Sequence, residues 1–146
     1  VGNAAILGEL MPVHQMEPDL WQRTVDLNLT ANWRLIRGMD PLLRASGSGR
    51  AIFVTSGITQ GEFPFWGVYK TTKAGLEAIV QTYAAENKVF DIRVNLVSPG
   101  VVRTAMREKA MPGEDPLSLP PPEAITDVFV DLATADCTRT GEIVHA

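Results

Sequence analysis

Tyr69-Lys70-Thr71-Thr72-Lys73 opens a helical stretch set between two apolar runs, Ala51-Ile52-Phe53-Val54 before it and Ile92-Arg93-Val94-Asn95-Leu96-Val97 after it. The apolar period through Leu76, Ile79, Val80, Tyr83 and Ala84 predicts a helix from Tyr69 to about Lys88. Arg50 to Thr55 is apolar on both faces, as expected of a central parallel strand covered on two sides, and Asp91 to Val97 reads as a second strand. A strand-helix-strand crossover is nearly always parallel and right-handed. Ser56 and Ser98-Pro99-Gly100, just after the two strands, therefore fall at the same sheet edge, where open α/β sheets bind ligands.

Upstream, Glu17 to Leu43 reads as one helix with Trp21, Val25, Leu29, Ile36 and Met39 on its inner face, and Asn28 shares that side. Ser46-Gly47-Ser48-Gly49 ends it as a turn. Downstream, residues 105–122 hold Met106, Met111 and the triple Pro120-Pro121-Pro122, too many prolines for regular structure throughout, and read as a mobile substrate-side flap. Pro122 or Glu123 then opens a helix to about Ala133, and Gly141-Glu142-Ile143-Val144 supplies a short last strand.

The 146 residues are 45% hydrophobic and 21% charged, which suits a single domain with a real core. A net charge of -4 offers no cationic surface to nucleic acid or anionic lipid. No apolar run approaches the roughly 18 residues that a membrane span needs. One cysteine, Cys137, and two distant histidines, His14 and His145, form no metal-ligand cluster. Val1 to Ala5 does not resemble a signal peptide, so the expected address is cytoplasmic and no metal is expected.

Three spacings carry the chemistry. Tyr69 and Lys73 lie four apart on one helical face, Ser56 sits thirteen before Tyr69, and Asn28 twenty-eight before Ser56. A tyrosine has a pKa of about 10, and a nearby ammonium would favour its phenolate by direct Coulomb attraction. Tyr69 then suits acid-base catalysis, and the Ser56 hydroxyl suits a hydrogen bond to a substrate oxygen that gains negative charge. A lone Tyr69 would be an ordinary helix-start aromatic. Asn28 has a second reading as a buried amide satisfying a helix kink, a role that can coexist with the first, and Pro99-Gly100 one as a strand-ending turn. Phe63, Phe65 and Trp66, with Met106 and Met111, are pocket wall or core in equal measure.

This set resembles the short-chain dehydrogenase/reductase family, and the resemblance runs from end to end of the chain. Asn3-Ala4-Ala5 is similar to the family's Asn-Asn-Ala-Gly turn after the fourth strand, Asn28 to its active-site asparagine, and Ser56, Tyr69 and Lys73 to its catalytic serine and Tyr-x-x-x-Lys pair. Ser98-Pro99-Gly100-Val101-Val102-Arg103-Thr104 is similar to the stretch that holds the nicotinamide. The resemblance implies an α/β fold, a Rossmann-like doubly wound parallel sheet incomplete at its N-terminal half, with residues 1–146 as a partial single domain.

It implies hydride transfer between NAD or NADP and a small-molecule alcohol or ketone. Asn28, Ser56, Tyr69 and Lys73 would be catalytic, and Asn3, Ala4, Tyr69, Lys73, Pro99, Gly100, Val102 and Thr104 would bind the cofactor. Lys73 would hold the ribose hydroxyls, and Asn28 a water connecting Lys73 to solvent. A homo-oligomer, dimer or tetramer, built on the helices of Asn28 and Tyr69 is also implied.

Two departures stand out. The Gly-rich pyrophosphate turn is absent, so roughly another hundred or fewer residues are expected upstream. Gly2 and Ala5 replace the family's first Asn and its Gly. The missing turn also motivates a different reading, a non-catalytic member of the fold acting as a binding or assembly module.

Overall fold

The structure, a computed structural model, describes residues 1–146. Strands β1 (Gly49–Val54), β2 (Ile92–Ser98) and β3 (Ile143–His145) form a parallel sheet in the order β1-β2-β3. On the free side of β1, Gly2 bridges Phe53 in parallel, through hydrogen bonds Gly2 N to Ile52 O (2.8 Å) and Val54 N to Gly2 O (3.0 Å). The chain's first residues thus enter the sheet beside β1.

Helices cover both faces because the central strands are apolar on both. On one side Ala51, Phe53, Val94 and Leu96 pack with Leu76, Val80, Tyr83 and Ala84 of α3 (Gly67–Glu86). Ile36 and Leu43 of α2 (Ala31–Ala45), both half-buried, close the rim of that layer. On the other side Ile52, Val97 and Val144 pack against Leu132 of α5 (Asp127–Ala133). The sheet is therefore wound on both faces, as the fold class requires. No helix is long and apolar enough to cross a membrane.

The segment expected as one helix over residues 17–43 is helical throughout, but it contains one turn of a different period. It runs as α1 (Pro18–Val25), a π-helical turn Asp26–Thr30, and α2. Its inner line also differs from the expected one. Leu20, Thr24, Asn28 and Asn32 are buried, while Trp21 and Met39 face solvent. Leu29 and Ile36 pack against the core as expected, but the most deeply buried positions are largely polar and satisfied by hydrogen bonds, so hydrophobicity alone misses them. Thr24 donates to the Leu20 carbonyl (2.8 Å) and Asn32 Nδ2 to the Asn28 carbonyl (2.8 Å). Gly75 lets α3 approach this turn, since a Cβ there would lie 3.1 Å from Leu29 Cδ2.

Residues 105–122 also hold more regular structure than expected. They open with α4 (Ala105–Ala110), whose first turn is capped by the Thr104 hydroxyl accepting from Arg107 N (3.1 Å). The helix expected from Pro122 is split into a 3₁₀ turn, Pro122–Ile125, and α5.

Gly2 has a steric reason. A Cβ there would overlap Asn32 Oδ1 and come within 2.6 Å of Phe53 Cδ1. We expect Gly2→Ala to cost about 2 kcal/mol, the usual scale of overpacking. Urea unfolding of the two proteins checks this, and equal midpoints would contradict it.

Candidate active site

The carboxyl ends of β1 and β2 open into a cleft of about 610 Å³. That volume lies within the roughly 300–1,000 Å³ of small-ligand sites. Ser56, Tyr69 and Lys73 line it together, and so do Asn3, Ala4, Pro99, Gly100, Val102 and Thr104. Asn28 does not line it. Phe63, Trp66, Met106 and Met111 form apolar wall, whereas Phe65 lies outside.

Each side chain is placed by its element. Ser56 follows β1 and caps the 3₁₀ turn Gly57–Thr59, its Oγ accepting from Ile58 N at 3.3 Å. Its hydroxyl faces the Tyr69 phenol. Tyr69 and Lys73 sit one turn apart at the start of α3, both buried. The Lys73 ammonium donates to the Val54 carbonyl (2.7 Å) and lies 5.7 Å from the Tyr69 ring centre. An ammonium has three protons, so two remain for other acceptors. Trp66 meets Tyr69 edge-on, with ring centres 5.9 Å apart. Gly100 takes φ +69°, a left-handed conformation that favours glycine, and a Cβ there would meet open space.

Electrostatics differ from the sequence expectation. Burial raises the Tyr69 phenol above its ordinary 10, and the adjoining Ser56 hydroxyl draws it partly back. The Lys73 charge does not reverse that rise. Burial also lowers Lys73 to about 8, opposed by the charge of Glu77. For both groups the cost of burying charge is the larger effect.

Asn28 lies behind the cleft, in the π-helical turn. Its Oδ1 accepts from Ile6 N (2.9 Å), and its Nδ2 donates to the Ile6 carbonyl (2.9 Å) and to Thr72 Oγ1 (3.1 Å). The Thr72 hydroxyl in turn donates to the Tyr69 carbonyl (2.8 Å). Asn28 thus joins the segment leading into the cleft with the helix that bears Tyr69.

Four residues at or beside the cleft escaped sequence reasoning. Thr72 is one, and Glu77, Thr55 and Arg107 are the others. Arg107 lines the wall and is held bidentately by Glu114 at 2.6 and 2.8 Å, while Lys109 Nζ reaches the Gly8 carbonyl at 3.2 Å. These contacts anchor α4 over the cleft. The i, i+4 spacing of Lys73 and Glu77 was the one readable signal.

A parallel sheet wound on both faces, with serine, tyrosine and lysine in one cleft at its carboxyl edge, is the arrangement of a dinucleotide-dependent dehydrogenase fold. The family model for short chain dehydrogenase matches residues 1–115, and the chain belongs to that family. It is 34% identical over 137 residues to the oxidoreductase YciK of Escherichia coli K12, covering 94% of this chain and 54% of that protein. It superposes on a short chain dehydrogenase of Salmonella enterica serovar Typhi with a TM-score of 0.93 at 34% identity, covering 97% of this chain and 59% of that one. A short chain dehydrogenase of Escherichia coli CFT073, solved in complex with NADPH, gives a TM-score of 0.92 at 33% identity over 98% of this chain and 60% of that one. The chain therefore spans little more than half the length of these relatives.

Proposed function

We propose that the protein carrying this chain moves hydride between NAD or NADP and an alcohol or carbonyl, with Tyr69 as the acid-base group. The observation that carries this reading is the shared cleft of Ser56, Tyr69 and Lys73. The cleft fits a dinucleotide's nicotinamide half: two free ammonium protons on Lys73 suit ribose hydroxyls, and the side-chain-free Gly100 leaves room beside them. Asn3, Ala4, Pro99, Val102 and Thr104 would complete the hold. When bound, the nicotinamide supplies or accepts the hydride.

The chain's own residues handle the proton. The Ser56 hydroxyl donates a hydrogen bond to the substrate oxygen, while Tyr69 gives the one proton to that oxygen in reduction or takes it in oxidation. Trp66, Met106 and Met111 exclude water and favour an apolar substrate body. Asn28 holds the helix of Tyr69 in place and, by the family resemblance, a water near Lys73. We also propose a homo-oligomer, because Trp21, Trp33, Met39 and Leu42 are exposed along α1 and α2, and a cytoplasmic setting with Cys137 reduced.

The test is NADPH binding against pH. Lys73 is charged below about 8 and neutral above it, so affinity for NADPH is expected to weaken as pH rises through that value. For stability the sign is opposite. The folded pKa lies below the unfolded 10.5, so the unfolded state binds more protons between the two, and this group's burden on folding is relieved as pH climbs from about 8. Fluorescence titration of wild type and Lys73→Met checks the binding claim; a wild-type affinity flat across that range would refute it.

A further inference from the structure

We infer that Glu77 is a positioning residue for the proposed reaction: from one turn beyond Lys73, its carboxylate ties down both threonines that bracket Ser56 and so fixes the serine opposite Tyr69. The inference rests on the catalytic reading of Ser56 and Tyr69 given above. Glu77 Oε1 accepts from Thr55 Oγ1 at 2.6 Å and from Thr59 Oγ1 at 3.0 Å. Thr55 immediately precedes Ser56 and is buried, and Thr59 ends the turn that Ser56 caps. The Thr59 hydroxyl also lies 3.1 Å from the Ser56 carbonyl, so its one proton is shared between the two acceptors.

Tyr69, Lys73 and Glu77 recur every four residues along one face of α3. The turn carrying Ser56 is thereby registered to the helix carrying Tyr69 by charge-assisted hydrogen bonds, which are stronger than neutral ones. Catalysis by a positioned hydroxyl is sensitive to displacements of about 1 Å. Glu77 also favours the charged form of Lys73. The other groups facing that ammonium are the Val54 carbonyl of β1 and the Tyr69 ring.

The experiment uses the NADPH-loaded protein reducing benzil, an apolar diketone, together with amide hydrogen exchange of Ser56–Thr59. Glu77→Ala is expected to lower kcat about tenfold, with the KM for NADPH within about twofold, and to speed exchange in that turn but not in the middle of α3. Glu77→Gln keeps an acceptor oxygen and should restore kcat to within about threefold at neutral pH, with its alkaline limb moved to lower pH because Lys73 loses a favourable charge. Wild-type exchange in the Ser56–Thr59 turn of Glu77→Ala would overturn the inference whatever the rate. Should Glu77→Ala fail to fold, a Thr55→Val, Thr59→Val double variant stands in, and unaltered kcat there would also overturn it. If Ser56→Ala turns over benzil fully, the catalytic reading fails separately; in that case, as where wild type does not accept benzil, exchange alone decides the role of Glu77.

Discussion

Tyr69→Phe is expected to lower turnover about a thousandfold, the middle of the range for losing a positioned acid-base group. The ring, its edge contact with Trp66 and its place against Leu7 and Ile58 are all kept, so the fold and the cleft should persist. Only the hydroxyl leaves. NADPH affinity is expected to stay within about twofold, because Lys73 keeps its hold on the Val54 carbonyl and its free protons. Steady-state reduction of benzil beside a fluorescence titration separates these effects. Full turnover in the variant would remove Tyr69 from the chemistry, and a large loss of NADPH affinity would make its role one of binding.

Asn28→Ala is expected to lower unfolding free energy by about 3 kcal/mol. Its amide satisfies the N–H and the carbonyl of Ile6 and the hydroxyl of Thr72, and unpaired buried groups cost about 1–3 kcal/mol each. Water reaches the exposed Ile6 and softens part of that loss. Urea unfolding gives the value, and a change below about 1 kcal/mol would mean the three bonds are readily replaced by solvent. The π-helical turn at Asp26–Thr30 is tied to the same residue: such single-turn bulges often sit at functional sites, and here the turn brings a polar side chain inward to bridge two segments.

The helix bearing Tyr69 was legible because its inner positions, Leu76, Val80 and Tyr83, are apolar and buried, so hydrophobic period and packing agree. The helix of Asn28 was legible in its extent and in Leu29 and Ile36, which pack on the core, but not in its deepest positions, because Thr24, Asn28 and Asn32 are buried with their polar atoms hydrogen-bonded while Trp21 and Met39 stay outside. The aromatic wall was half legible. Which of Phe63, Phe65 and Trp66 enters the cleft depends on one loop, where Phe65 takes φ 74° and stays out of the lining while its neighbours join it.

By itself the sequence determined the strand-helix-strand order, the parallel sheet and the placing of Ser56, Tyr69 and Lys73 at one edge, since these follow from local period, chain direction and the handedness of crossovers. Only the tertiary structure decided the π-helical turn at Asp26–Thr30, the bridging role of Asn28, the clasp of Glu77 on Thr55 and Thr59, and the direction in which Tyr69 and Lys73 shift. The reason is physical. Hydrogen bonds between residues distant along the chain, and the cost of burying charge, depend on which groups meet in space and how much water is left between them.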